Sequence, residues 1–321
     1  MRSINTLLIA VALTAAANAT AQNYPTRAIR IIVVSTPGGS VDTMARTVGP
    51  KLAERWGQQV LVDNRPGAGG AIAAELVAKA PPDGYTLIMG TVASFATNVS
   101  LRKSLPYDPV KDFVPISLVA TQNLMLLVHP SIPSKSVKEL VALAKKQPGK
   151  LSFASAGNGT GGHLSGELFK MLANVDLLHV PYKGVQPALI DVVSGQVSMT
   201  FASIISAMPQ VKSNRLRPLA VTGAQRSPAA KELPTMIEAG VKGYESATWY
   251  GLLAPAGTPA DIVNKLNTEV VAILKSPEMN ERLSREGADP VGNSSAEFAK
   301  YIQSEIEKWR KVIRAAGIAP S

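Results

Sequence analysis

Short apolar runs and helix-like periodicities alternate along the first third of the chain. Residues 29–34 form a β-rich apolar run that predicts a buried strand, and residues 60–62 and 85–89 predict two more. After the first run, apolar side chains recur with helical spacing at Val41, Met44, Ala45, Val48 and Leu52. A second helix is predicted over residues 71–80. This alternating order is the unit of a parallel sheet flanked by helices.

Two other stretches do not fit a single sheet. Residues 114–128 are apolar for an unusual length and are interrupted by polar residues, and residues 249–254 form a similar segment. We interpret both as segments that cross from one domain to another. Between them the pattern predicts further helices and strands, at residues 136–146, 151–155, 163–172, 177–181, 186–194 and 219–222. Two helices, near residues 260–275 and 295–315, follow the second crossing.

The sequence thus predicts an α/β protein with two lobes around a cleft. Lobe 1 is expected to comprise residues 22–122 and 248–321, and lobe 2 residues 123–247. Each lobe has its own glycine-rich loop between a strand and a helix, which places two similar loops on the two sides of the cleft.

The first 21 residues have the pattern of a secretory signal peptide. Arg2 gives a positive start, residues 7–17 are an uncharged apolar run, and small residues follow up to Ala21. The run is shorter than the ~20 apolar residues that a membrane span requires. We therefore expect export to the periplasm with cleavage near Ala21, rather than a membrane anchor.

Composition narrows the function classes. The absence of cysteine excludes a disulfide scaffold, a thiol nucleophile and a cysteine-ligated metal. Lys and Arg number 33 against 23 Asp and Glu, a formal charge of +10 that favours an anionic partner. Because the chain is expected to be exported, we expect that partner to be a small organic acid and not nucleic acid.

The two glycine loops are the main candidates for a binding site. A helix N-terminus presents unpaired N–H groups and a partial positive charge, and glycine lets the backbone approach a ligand closely. The first loop contains Pro37, Gly38, Gly39 and Ser40, and the second contains Gly157, Gly159 and Thr160. Each loop alone could equally be a tight turn with a helix cap. Together they favour a shared carboxylate site.

Four other side chains stand close to these loops or to strand ends. Asp42 either complements the helix dipole or accepts a hydrogen bond from the ligand. His163 is either a surface residue or a donor to a carboxylate, and Lys183 either a solvated lysine or a countercharge. Ser94 follows the third strand, where ligands bind in α/β folds. His129 and His179 are interpreted as structural.

Enzyme signatures are scarce. The chain has no G-x-S-x-G elbow, no H-E-x-x-H and no G-K-[ST] after a glycine loop. Its three histidines lack the spacing of metal ligands. We therefore expect neither catalysis nor a cofactor or metal.

Several segments together resemble a known family, the solute-binding proteins of tripartite tricarboxylate transporters, also called the Bug family. The resemblance covers essentially the whole chain after the signal. Its most specific segments are residues 37–42 (PGGSVD), 63–70 (DNRPGAGG), 80–87 (APPDGYTL), 179–184 (HVPYKG) and 254–259 (APAGTP).

The resemblance implies a type II-like, Venus-flytrap periplasmic binding protein that closes on its ligand. It also implies that the loops at residues 37–42 and 155–160 hold a small carboxylate. The second of these loops adds Ser155 and Ala156 to the predicted ligand-binding residues. The expected partner is the inner-membrane permease pair, and we expect the receptor to be a monomer. Residues 198–203 lack the acid that the family often carries there, which favours a ligand without an amino group. Ser203, which ends that segment, is included among the predicted ligand-binding residues.

Two other functions remain open from the sequence. A ligand-sensing protein that reports to a sensor kinase would have the same binding fold. A periplasmic enzyme acting on an organic acid, with His163 as acid or base, is the third hypothesis.

Overall fold

The structure is a computed structural model, and it describes residues 24–35, 37–182, 185–285 and 287–320, except for the side chain of Ile205. The predicted signal peptide and Lys183 lie outside the described residues. The strands are β1 (Ile29–Val33), β2 (Val60–Asn64), β3 (Thr86–Thr91), β4 (Phe113–Val128), β5 (Ser152–Ser155), β6 (Leu178–Pro181), β7 (Met199–Ser203), β8 (Arg217–Val221), β9 (Ala247–Pro255) and β10 (Asp289–Pro290).

The helices are α1 (Ser40–Trp56), α2 (Ala71–Ala78), α3 (Asn98–Leu101), α4 (Val137–Lys146), α5 (Gly161–Ala173), α6 (Val185–Val193), α7 (Ile204–Lys212), α8 (Ala260–Leu274), α9 (Pro277–Arg285) and α10 (Ser295–Ala315). A π-helical turn, Ala93–Thr97, leads into the short helix α3. None of the helices within the described part of the chain combines the length and the apolar character that crossing a membrane requires.

Helix α1 shows how local sequence sets an element. Its predicted apolar stripe is buried against β1 and the neighbouring strands. The helix ends at Gly57, whose φ of 66° is left-handed and whose N–H donates to the carbonyl of Ala53. Glycine adopts that conformation without the steric cost that a side chain would add.

In the first lobe the strand order is β2-β1-β3-β9-β4, and β1 pairs in parallel with β2 and β3 as predicted. In the second lobe β5 pairs in parallel with β6 and β7. The crossing strands β4 and β9 pair antiparallel with each other and with their neighbours, so each lobe has a mixed sheet.

Strand β4 joins the two lobes. Its first part pairs with β9 as far as Asn123, and from Leu124 onwards it pairs with β7 and β8. At the change of partner, Asn123 Nδ2 donates to Asp289 Oδ2 at 3.0 Å, and the Leu124 N–H donates to Thr222 Oγ1 at 2.8 Å. The apolar stretch that the sequence marked as a crossing segment is thus one continuous strand shared by both sheets.

Five described elements were not predicted from the sequence: β7, β10, α3, α7 and α9. Helix α7 contains Pro209, which normally interrupts a helix because it lacks an N–H and its ring crowds the preceding turn. Pro209 nevertheless lies inside this helix of 9 residues, and Ser203 caps the start by accepting from the Ser206 N–H. The helix therefore forms from a capped start although its proline disfavours it.

Candidate ligand-binding site

A cavity of about 260 Å³ lies between the lobes, and we call it the central cavity. Ser40 lines it from the first lobe, and Gln122, Thr248 and Tyr250 form its floor on the crossing strands. The second lobe contributes Ala156, Thr160, Gly161, Gly162, Val185, Ala188, Thr200, Phe201, Ala202, Ser203 and Ser206. Of the predicted site residues, the fold thus brings Ser40, Ala156, Thr160 and Ser203 together.

The first turns of four helices converge on this cavity. Ser40 begins α1, Gly161 begins α5, Val185 begins α6, and Ser203 caps α7. Each helix start carries a partial positive charge and backbone N–H groups without helical partners. Among the described residues that line the cavity none is Asp, Glu, Lys or Arg. The described lining therefore combines donor groups with the positive potential of helix starts.

The first glycine loop is held in place by Asp42. This carboxylate is buried and accepts from the N–H of Gly38 at 2.9 Å, from Nδ2 of Asn64 at 2.9 Å and from Nε of Arg46. Burial acts to raise the pKa of Asp42, but these hydrogen bonds outweigh it and lower the pKa below its usual value. Asp42 thus orders the loop from behind, and it does not line the central cavity.

Pro37, Gly38 and Gly39 also lie beside the cavity without lining it. Gly38 has a φ of 79° and open space around the position of a Cβ, so its left-handed backbone is what the turn needs. The Gly39 carbonyl accepts from the Thr43 N–H at 2.9 Å and starts α1. These three residues form the turn that orients the start of α1 towards the cleft.

The second glycine loop is ordered by its own hydroxyl groups. Ser155 Oγ accepts from the Gly157 N–H at 3.1 Å, and Thr160 Oγ1 donates to the Gly157 carbonyl at 2.7 Å. Gly157 and Gly159 have φ values of 131° and 76°, a conformation that side chains disfavour. Ala156 and Thr160 are left facing the cavity, whereas Ser155 is buried behind the loop.

His163 is buried and stacks on the half-buried imidazole of His179. Its ring lies 3.9 Å from that of His179, centroid to centroid, and its Nδ1 accepts from the Gly159 N–H at 2.9 Å. His179 Nε2 lies 2.7 Å from Ser155 Oγ. Burial lowers the pKa of both histidines to about 4, and for His163 the neighbouring His179 adds to the effect. Two neutral imidazoles thus brace the second loop from inside lobe 2.

Ser94 is buried and turned away from the cleft. Its Oγ accepts from the Thr91 N–H at 3.0 Å and lies 3.2 Å from the Thr91 carbonyl, to which it donates. The side chain thus closes the turn after β3 and does not line the central cavity.

The floor of the cavity was not predicted as a binding surface. Tyr250 is buried, its hydroxyl donates to Gln122 Oε1 at 2.6 Å, and burial raises its pKa to about 12, so the phenol is neutral. The sequence did carry a signal, because polar residues at 121–123 interrupt an otherwise apolar strand. A buried polar side chain inside a strand requires a partner, which here is supplied across the β4–β9 pair.

Proteins of similar sequence match this chain over most of its length. The chain is 41% identical over 291 residues to a protein from the tcbD-tcbE intergenic region of Pseudomonas sp. (strain P51), covering 90% of this chain and 86% of that protein. It is 36% identical over 303 residues to the protein BugT of Bordetella pertussis, covering 94% and 93% of the two chains.

Solved structures extend the likeness to the fold. An R. palustris protein solved with adipate matches with a TM-score of 0.78 and 42% identity, covering 93% of this chain and all of its own (100%). MatC from Rhodopseudomonas palustris, solved with bound malate, matches with a TM-score of 0.72 and 34% identity, covering 90% of this chain and 100% of its own. The predicted two-lobe periplasmic-binding-protein fold is thereby confirmed.

The family resemblance expected from the sequence is confirmed as well. A family model described as the tripartite tricarboxylate transporter family receptor matches residues 44–318. Since that range covers most of the chain and both lobes, the chain belongs to the tripartite tricarboxylate transporter family of receptors.

Proposed function

We propose that this protein is a periplasmic solute-binding protein that captures a small carboxylate in the central cavity and delivers it to a transporter permease. The observation that carries the proposal is the convergence of four helix starts on a cavity whose described lining has no charged side chain. A carboxylate there gains hydrogen bonds from donors that the fold already holds in place, and the helix dipoles favour its charge.

The ligand class has two supports. The two solved relatives were determined with adipate and with malate, which are both dicarboxylates. The cavity lining lacks an acidic side chain among its described residues, so an ammonium group would find no countercharge there. The favoured ligands are di- or tricarboxylic acids or aromatic acids. In this role the protein binds and releases its ligand without changing it.

The proposed mechanism is closure of the two lobes around the ligand. Lobe 1 comprises residues 22–122 and 248–321, and lobe 2 residues 123–247. The crossing strands β4 and β9 join them at the floor of the cavity, where small changes in backbone angles can rotate one lobe against the other. Closure removes water from the carboxylate and brings the starts of α1 and α5 to opposite sides of it.

A charge introduced into the cavity tests the proposal. Ser40→Asp places a carboxylate at the first position of α1, inside the cavity. It should weaken the binding of every acid that the wild-type protein binds, by repulsion in a partly desolvated site, while leaving the helix stable because acids are favoured at helix starts. Calorimetric titration and thermal unfolding with mono-, di- and tricarboxylates measure both effects.

The matched control is Ala260→Asp, which adds the same charge to the first position of α8, outside the cavity. It should bind as the wild type does. At a hundredfold excess over Kd a bound acid should add about 2.7 kcal/mol to the free energy of unfolding of the wild-type protein. If no acid in the panel raises the unfolding temperature after any co-purified ligand is removed, the proposed function is wrong.

A further inference from the structure

A second cavity, of about 440 Å³, adjoins the central cavity, and we call it the side cavity. Thr160 lines both cavities, so the second glycine loop is their common wall. On the opposite side the first lobe lines the side cavity with Thr97, Asn98 and Arg102. The side cavity is thus a second interlobe space, and Thr160 borders both cavities.

Arg102 is the one cationic side chain among the described residues that line the side cavity. It is half-buried, and its Nε is buried without a hydrogen-bond partner. Within residues 24–35, 37–182, 185–285 and 287–320 no Asp or Glu lies within ion-pair distance of it. Most buried polar groups in proteins have partners, so this guanidinium has donor capacity for a ligand.

The chemistry of arginine indicates what that ligand carries. A guanidinium keeps its charge at every physiological pH, and its planar fork matches the two oxygens of a carboxylate. The described residues that line the central cavity, by contrast, offer only neutral donors. The two cavities therefore offer two different carboxylate environments, one built from helix starts and one built around an arginine.

The lobes also meet at this place. A Cβ at Gly159 would lie 2.8 Å from Cδ1 of Leu101, the residue before Arg102, so the second loop is in van der Waals contact with the end of α3. Contact between these two segments sets the position of Arg102 against Thr160. The pairing of the two cavities therefore depends on this contact between the lobes.

We propose that Arg102 binds the second carboxylate of a ligand whose first carboxylate occupies the central cavity. This inference rests on the proposed function and adds the specificity determinant: the receptor selects dicarboxylates over monocarboxylates of the same chain length. The selected dicarboxylate has a spacer that passes Thr160, so affinity peaks at one spacer length.

The test compares linear dicarboxylates, from succinate to suberate, with the monocarboxylates of matching length. Calorimetric titration is done on the wild type, on Arg102→Gln and on Lys103→Gln. Arg102→Gln should lower the affinity for the best dicarboxylate by about 10- to 100-fold, the range of a charge-assisted hydrogen-bonded pair, and leave monocarboxylate affinities within about twofold. Lys103→Gln removes the same charge from an exposed neighbour outside the side cavity. It should leave the affinities for dicarboxylates and for monocarboxylates unchanged.

Each outcome bears on a different claim. If no acid binds the wild type, the proposed function fails. If acids bind, but the wild type does not prefer dicarboxylates or Arg102→Gln keeps that preference, the arginine subsite is wrong and the proposed function stands. If Arg102→Gln lowers the affinities for mono- and dicarboxylates equally, the arginine subsite is also wrong. Should Arg102→Gln fail to fold, Arg102→Lys replaces it. The ammonium group of lysine cannot donate two parallel hydrogen bonds to a carboxylate as a guanidinium does, so this variant should lower the affinity for dicarboxylates alone.

Discussion

At the scale of single residues, the structure separates groups that line the central cavity from groups that hold the loops. Ser40 and Thr160 line the central cavity, whereas Asp42 and His163 accept hydrogen bonds from backbone N–H groups of the loops themselves. The sequence placed all four beside the cleft because each is close to a glycine loop. It could not distinguish the two roles, since a side chain's direction depends on partners such as Asn64 that are distant in sequence.

The stacked histidines make stability depend on pH. Their pKa values are about 4 in the folded protein, against about 6.5 for an unfolded histidine. Between these values the unfolded chain binds more protons, so folding stability is fully present above about pH 6.5 and decreases as the pH falls towards 4. We expect the unfolding temperature of the wild type to fall over this window.

The double variant His163→Gln, His179→Gln should show a shallower fall over the same window. His129→Gln is the matched control, because His129 bonds to Ser131 at the end of β4 and lies outside the stacked pair. Its unfolding temperature should change with pH as that of the wild type does. Thermal unfolding measured at several pH values decides the matter: a double variant with an unchanged slope would show that the imidazole pair is not the titrating group.

At the scale of elements, the long helix α10 is fastened to β9 by a buried carboxylate. Glu305 is 2% exposed and accepts from Nε1 of Trp249 at 3.1 Å and from Nε1 of Trp309 at 2.9 Å. It also forms an ion pair with Lys308. Removing the carboxylate leaves two buried indole N–H groups without an acceptor, which is costly in a low-dielectric interior.

Glu305→Ala should therefore lower the free energy of unfolding by about 3–5 kcal/mol, the usual cost of breaking a buried charged pair. Glu305→Gln keeps an oxygen acceptor for the two indole N–H groups and should lower the free energy of unfolding by a smaller amount. Glu307→Ala, at an exposed position on the same helix, should change stability by no more than about 0.5 kcal/mol. Denaturant unfolding gives all three values, and similar losses for Glu305→Ala and Glu307→Ala would contradict the fastening role.

Elements governed by local periodicity were predicted well, and those governed by distant partners were not. Helices α1 and α10 follow from their apolar stripes and end signals, and the capping box of Ser294 and Glu297 fixes the start of α10. Strand β4 was recognised as a crossing segment, but its antiparallel pairing with β9 depends on residues more than a hundred positions away. For the same reason the floor of the central cavity could not be derived from one stretch of sequence.

At the scale of the whole molecule, β4 and β9 are both the floor of the site and the connection between the lobes. The ligand is therefore expected to act on the hinge directly. A carboxylate that contacts the starts of α1 and α5 at once is stabilised only when those helices approach each other, so its binding energy favours the closed arrangement.

The absence of cysteine makes this motion measurable without background labelling. Lys300→Cys in lobe 1 and Lys150→Cys in lobe 2 are exposed positions for a pair of spin labels. A saturating acid, identified in the binding panel, should shift the distance distribution between them and narrow it, because a ligand that binds the closed state better shifts the population towards that state.

The control pair Lys150→Cys and Lys231→Cys lies within lobe 2 and should give the same distribution with and without the acid. A hinge is rejected if the cross-lobe distribution stays unchanged at saturation, and rigid lobes are rejected if the control pair moves.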